Sequence, residues 1–279
     1  MKLFLIIISV CIVVAKRSFD IERQVTNYHG EVGIPEAARI RTAEAVMVSS
    51  ASTFVYGSDK YPYMAGLIIA LTTGEESVCA SSVITNTRVL TAAHCWRTQQ
   101  HEASKITVVL GSTFVFHGGL RIDTSNVIIP NSYKEEYLQN DIAILVFDRV
   151  EFNDYIKPIA LYRGEEFEVN KDQTVTILGY GRAGLSGTTT NQSLRHIEVQ
   201  VITRNQCYFV FGEWPISASH ICARKNPTSC TGDTGGPLIV NNLLVGISSF
   251  TAPDGCERGI AAAYVRMEYW FTWVTLLTT

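Results

Sequence analysis

Charge is scarce in this chain, and neither sign dominates. Only 18% of the 279 residues are charged, 23 basic against 26 acidic, for a formal net charge of −3. No long basic run occurs, so nothing attracts phosphate, and nucleic acid is excluded as a partner. A glycine period and sustained heptads are both missing, which excludes collagen-like and coiled-coil arrays. No internal repeat and no Pro- or Ser-rich linker divides residues 54–279, so they read as one folding unit. No apolar run reaches the roughly 20 residues of a membrane span, and no membrane association is expected. Apolar character is nevertheless plentiful, with 47% hydrophobic and 10% aromatic residues and a mean hydropathy of +0.14. A chain of this composition is too apolar for disorder and long enough to bury a sizeable core.

Cysteine is present in an odd number, seven. Met1-Lys2, the apolar stretch Leu3–Ala15 and Lys16-Arg17 form a basic start, a short apolar run and a small residue at the boundary. This pattern reads as a signal peptide over residues 1–15, cleaved near Ala15, and implies a secreted, extracellular protein. Cys11 leaves with it, so six cysteines remain for an oxidising compartment. Their spacing alone leaves the pairing open. The apolar end Tyr269–Leu277 is also too short to span a membrane and is expected to be a docked amphipathic helix.

Residues 16–53 differ in texture from the rest of the chain. Glu36-Ala37-Ala38-Arg39-Ile40-Arg41-Thr42-Ala43-Glu44 is small, polar and charged, and the segment ends in Ser49-Ser50-Ala51-Ser52-Thr53. That end reads as weakly structured; a short helix is compatible with the rest but a core is not, and residues 16–53 are expected to be a pro-segment. From residue 54 short β-rich runs recur between Gly, Asn, Asp and Ser: 63–71, 78–84, 105–110, 141–147, 174–178, 194–202, 237–250 and 259–267. Short strands with turn signals and little helical periodicity predict an all-β sandwich or barrels.

Three local sequences carry chemistry. In Leu90-Thr91-Ala92-Ala93-His94-Cys95, a histidine stands beside a cysteine whose cystine would hold it rigidly. A general base needs that rigidity, because its imidazole must point at one oxygen. In Asn140-Asp141-Ile142-Ala143-Ile144-Leu145, a carboxylate opens an apolar strand. A buried carboxylate is costly unless it is hydrogen-bonded, and an imidazole N–H is a suitable partner. In Cys230-Thr231-Gly232-Asp233-Thr234-Gly235-Gly236-Pro237-Leu238, close glycines let backbone N–H groups converge on one point, as an oxyanion hole requires.

With these three motifs, residues 54–279 resemble the chymotrypsin-like serine protease family, trypsin included, and within it the insect-type secreted members. The resemblance implies an all-β fold of two packed six-stranded antiparallel β-barrels with a short C-terminal helix and the active site between the barrels. It implies His94 as general base, Asp141 as the acid orienting it, Thr234 at the nucleophile position, and the Gly232 and Thr234 amides as the oxyanion hole. It implies the disulfides Cys79–Cys95, Cys207–Cys222 and Cys230–Cys256. It places Thr228 at the floor of the substrate pocket and Ser249, Thr251 and Ala262 on its walls, a narrow slot suited to small or apolar side chains. Asp233 would pair with the new N-terminus formed on activation. No cofactor is implied, and no metal, since the loop around Arg121-Ile122-Asp123 lacks the carboxylates of a calcium site. Asn191-Gln192-Ser193 is a sequon for glycosylation. The remaining histidines, His29, His101, His117, His196 and His220, are assigned no chemistry.

Two departures from the family pattern bear on activity. Thr234 stands where the family has serine, and its extra methyl on Cβ restricts χ1 and crowds either the imidazole or the attacked carbonyl. Threonine nucleophiles elsewhere use their own N-terminal amine as base, which an internal residue lacks. The stretch aligned with the family's activation site reads Thr53-Phe54-Val55-Tyr56-Gly57, without the basic residue that a trypsin-type activator cuts after. Arg39-Ile40 offers a basic residue, but cutting there leaves the amine fourteen residues upstream of Phe54. The expectation is a secreted, monomeric protease homologue with weak or absent proteolysis that binds protein or peptide ligands in digestion or humoral defence. The alternatives are a weakly active chymotrypsin- or elastase-like endopeptidase using His94, Asp141 and Thr234, and a structural coat or storage protein.

Overall fold

The structure is a computed structural model, and it describes residues 27–50, 57, 59–166, 168–181, 193–211, 216–224, 234–251 and 261–278. The signal peptide, Phe54, Thr228, Cys230, Gly232, Asp233, Cys256 and Asn191 lie outside the described residues.

Alternation of side chains along each strand explains how two cores form. In the first sheet β1 (Met64–Leu71), β2 (Glu76–Thr85), β3 (Arg88–Thr91), β4 (Ala103–Leu110), β5 (Leu120–Thr124), β6 (Asn126–Ile128) and β7 (Ala143–Val146) run in the order β5-β4-β1-β2-β3-β7-β6. Only Ser125 separates β5, paired with β4, from β6, paired with β7, so one bent strand closes a ring of six. β2 is buried on both faces because Cys79 and Val83 enter the first barrel's core, while Val78 and Ala80 join a second cluster that reaches the other barrel.

The second sheet comprises β8 (Ala160–Leu161), β9 (Thr174–Gly179), β10 (Arg195–Ile202), β11 (His220–Arg224), β12 (Pro237–Val240), β13 (Leu243–Thr251) and β14 (Ala261–Arg266). β12 pairs with both β9 and β13, closing six strands, and β8 adds to β13 in parallel, a departure from all-antiparallel pairing. Val175 and Ile177, Val199 and Val201, Ile221 and Ala223, and Leu238 and Val240 point inward at the spacing of two that a strand requires. The run at 237–250 resolves into two strands. Asn241 and Asn242, at φ 50 and 62, turn the chain, and asparagine tolerates this left-handed backbone.

Cys79–Cys95 and Cys207–Cys222 are both disulfides with Cα–Cα distances of 6.2 Å, and the second ties α2 (Arg204–Phe211) to β11. The C-terminal helix α3 (Met267–Leu276) buries Met267, Trp270 and Val274, one helical face, against the cluster between the barrels.

The N-terminal segment departs most from expectation. Residues 34–50 form a 17-residue helix, α1 (Ile34–Ser50), preceded by a wide turn over His29–Gly33. Tyr28, Ala37 and Ile40 join the cores of the folded domain. Ser49, expected in a weakly structured tail, lies within the helix. Gly33, Ala37, Ile40 and Glu44 are buried at helical spacing. That stripe holds a single large apolar residue, Ile40, beside glycine, alanine and a carboxylate, so it carries little amphipathic signature in the sequence. The peptide bond Arg39–Ile40 sits in mid-helix with Ile40 only 1% exposed, and is not offered to a protease.

Candidate active site

His94 lies in a short 3-10 turn, Ala93–Cys95, just beyond β3, and the Cys79–Cys95 bridge fastens that turn to β2. β3 pairs with β7 so that Thr91 faces Ala143, which brings Asp141 alongside His94. The Asp141 carboxylate accepts from the His94 backbone N–H at 2.9 Å and pairs with His94 Nδ1 at 2.7 Å. It also accepts from the Ser249 hydroxyl at 2.5 Å. A bulge between Ser248 and Phe250 in β13 aims Ser249 inward. Burial opposes the Asp141 charge most strongly, yet His94's attraction and the hydrogen bonds from His94 and Ser249 outweigh it. The carboxyl is held below its ordinary value. This fixes the imidazole's tilt and tautomer, with Nδ1 occupied and Nε2 left to act.

Thr234 is positioned by its backbone. Its carbonyl accepts from Ala80 of β2 at 2.8 Å, while Gly235 N–H donates to Ser248 and Ser248 N–H to Gly236 at 2.7 and 2.8 Å. The backbone at Thr234 is thus clamped between one strand of each barrel, whatever side chain it carries. Gly235, at φ +83, permits the turn. A Cβ there would lie 2.2 Å from Thr91 Oγ1 and 2.4 Å from the Ala80 carbonyl. Gly235→Ala is therefore expected to destabilise the fold by roughly 1–3 kcal/mol from backbone strain alone, with the collision adding to it. A denaturant midpoint equal to that of the unsubstituted chain would refute this.

Among the described residues no hydrogen bond reaches His94 Nε2, which is fully buried, so the Thr234 hydroxyl is not bonded to it. Of the wall positions, Thr251 on β13 faces the buried Ala262 on β14. Ser249, expected on the pocket wall, donates its hydroxyl to Asp141 and so adds to the His94–Asp141 pair.

Among the described residues, the ring packed on His94 comes from the N-terminal segment, which the sequence motifs do not implicate. The Tyr28 ring stands edge-on to the imidazole at 4.8 Å between centroids, and its hydroxyl donates to the Val78 carbonyl at 2.8 Å. His29, fully buried, shares a hydrogen bond of 2.8 Å with Ser77 Oγ and lies 6.0 Å from the His101 ring. Burial first, then repulsion from His94 and His101, lowers the His29 pKa to about 3. The aromatic pair Tyr28-His29 in an otherwise polar stretch is the one sequence signal of this cover. Among the described residues no group of His, Cys, Asp and Glu side chains is arranged to hold a metal ion.

Two closed barrels with a buried His–Asp–Ser array at their seam agree with the match of residues 54–274 to the family model described as Trypsin. The chain belongs to the trypsin family. It is 32% identical over 222 residues to the collagenase of Hypoderma lineatum, covering 77% of this chain and 81% of that one. Serine protease SP24D of Anopheles gambiae is 34% identical over 211 residues, 74% of each chain. Human cathepsin G is 31% identical over 221 residues, 76% of this chain and 81% of its own. In three dimensions the solved structure titled HL collagenase superposes with a TM-score of 0.70 at 31% identity, covering 80% of this chain and 96% of that one. The matched stretch of the trypsin-family domain begins after α1 ends, so the helix lies outside it.

Proposed function

We propose that this trypsin-family chain is a secreted, insect-type serine protease homologue with little or no proteolytic activity, acting by binding protein or peptide ligands in digestion or humoral defence. The observation that carries the reading is Thr234, clamped at the nucleophile position without a hydrogen bond to the buried His94 Nε2. A hydroxyl that is not hydrogen-bonded to its base is poorly activated as a nucleophile, and the extra methyl of threonine restricts χ1. The missing basic residue at Thr53 supports the same reading, because family-type activation has nothing to cut after. Secretion is supported by the two disulfides and by the apolar leader with its basic start. A second reading, a weakly active endopeptidase of apolar preference, is favoured by the intact His94–Asp141–Ser249 array.

The test is the chain cut to free the Phe54 amine, compared with its Thr234→Ser variant on apolar peptide esters and on labelling by an organophosphonate. The expected result is turnover and labelling at least about a hundredfold lower with threonine, the order of loss for a misplacement near 1 Å. Rates within a few-fold of the serine variant would overturn the non-catalytic reading in favour of the second one. An equally inert serine variant would place the defect in the pocket or the activation step.

A further inference from the structure

The N-terminal segment is anchored at two ends, one of them against His94. At the near end Tyr28 covers His94 and donates to the Val78 carbonyl, while His29 engages Ser77. At the far end Glu44, fully buried, accepts from the backbone N–H groups of Val115 and Phe116 at 2.7 Å each and pairs with His117 Nδ1 at 3.2 Å. Between them Ala37 and Ile40 fill the groove beside β2, and Arg41 lies 4.1 Å over the Phe116 ring while pairing with Glu76. The turn before the helix approaches closely at Gly33, where a Cβ would lie 2.0 Å from Ser77 Oγ, the partner of His29. A buried carboxylate satisfied by two backbone amides and an aromatic hydroxyl satisfied by a strand carbonyl are specific contacts.

We infer that the face formed by Ser77, Val78, His94 and the Val115–Phe116 turn is a peptide-docking surface. Its resident occupant is residues 27–50 of the same chain, whose Tyr28 plugs the cleft at His94. With the segment docked, the imidazole has no exposed surface and Nε2 no hydrogen-bond partner among the described residues, so a peptide entering from this side must first displace Tyr28. The plug is independent of what stands at position 234, and it acts on ligand entry whether or not Thr234 hydrolyses anything.

The test reads access to His94 rather than turnover, so its outcome is separate from that of the proposed function. The full-length, disulfide-bonded chain is treated with diethyl pyrocarbonate at neutral pH, and modification of each histidine is followed by peptide mass spectrometry. Hydrogen exchange of residues 27–50 is measured in parallel. The exposed His196 serves as internal control. In the unsubstituted chain His94 is expected to react at least tenfold more slowly than His196. Tyr28→Ala and Gly33→Ala are each expected to raise the His94 rate tenfold or more, together with exchange in 27–50, while His196 and the strand amides of β1 and β4 stay unchanged. Free reaction of His94 in the unsubstituted chain overturns the proposal, as does faster exchange in 27–50 without faster reaction at His94. Where single replacements leave the segment docked, the triple variant Tyr28→Ala, Gly33→Ala, Glu44→Ala removes both anchors. Continued protection of His94 in that variant overturns the proposal as well.

Discussion

Replacing Asp141 by alanine is expected to destabilise the protein by roughly 3–5 kcal/mol, whatever it does to catalysis. The carboxylate is fully buried and accepts from three donors, the His94 backbone N–H, the His94 ring and the Ser249 hydroxyl. Alanine leaves all three facing a dry cavity, and each unsatisfied buried polar group costs on the order of 1–3 kcal/mol. In a domain of this size such a loss lowers Tm by roughly 6–20 °C. Asp141→Asn is expected to cost less, because its carbonyl oxygen still accepts from the His94 N–H. Calorimetry of the two variants decides the matter. A Tm for Asp141→Ala within about 2 °C of the unsubstituted chain would show that the array is not a structural clasp.

The second large effect is a loosening of the N-terminal segment in acid. His29 is neutral when docked, with its pKa lowered from 6.5 to about 3 by burial and by the neighbouring His94 and His101. Released, it returns to an ordinary imidazole, so protons bind the released form more readily than the docked one. The docking contribution is complete above pH 6.5 and falls as the pH drops from there toward 3. By pH 4 the loss amounts to about 3 kcal/mol. Glu44 acts in the opposite direction. Burial raises its pKa, the docked form takes up its proton more readily, and acid strengthens that anchor between the raised value and 4.5. The two opposing contributions are separated by substitution, since only the loosening that vanishes with the imidazole belongs to His29. His220, lowered to about 4 chiefly by burial, lies in the second barrel and registers in global unfolding rather than in release of the segment. Hydrogen exchange of residues 27–50, corrected for intrinsic rates at pH 7, 6, 5 and 4, is expected to show this loosening, and His29→Gln to flatten it. An identical profile in the glutamine variant would sink the assignment.

Much of the architecture can be read from residue order, for a physical reason. Strands with a period of two, cysteines beside functional residues and glycines at a tight turn are local features. The Thr91-Ala92-Ala93-His94-Cys95 and Gly232-Asp233-Thr234-Gly235-Gly236 motifs need no knowledge of what packs against them. The short strands β3, β5, β6, β8 and β11 and the helix α2 leave no clear mark in the sequence, because so few residues carry too little periodicity to stand out. The run at 237–250 reads as one strand because its Asn241-Asn242 turn is apolar on both sides, and only the left-handed backbone at the two asparagines divides it.

The placement of Ser249 and of residues 27–50 is of another kind. Ser249 meets Asp141 across 108 positions of sequence, and a bulge in β13, which leaves no mark in composition, aims its hydroxyl. The helix α1 buries a stripe of glycine, alanine, isoleucine and glutamate, which looks polar until the Val115 and Phe116 amides are there to receive the carboxylate. Residue types and local spacing alone thus determined the alternation within the strands and the motifs around His94, Asp141 and Thr234 that resemble the trypsin family. Tertiary structure alone decided that Tyr28 lies over His94, because that contact spans 66 positions and depends on partners that only folding brings together.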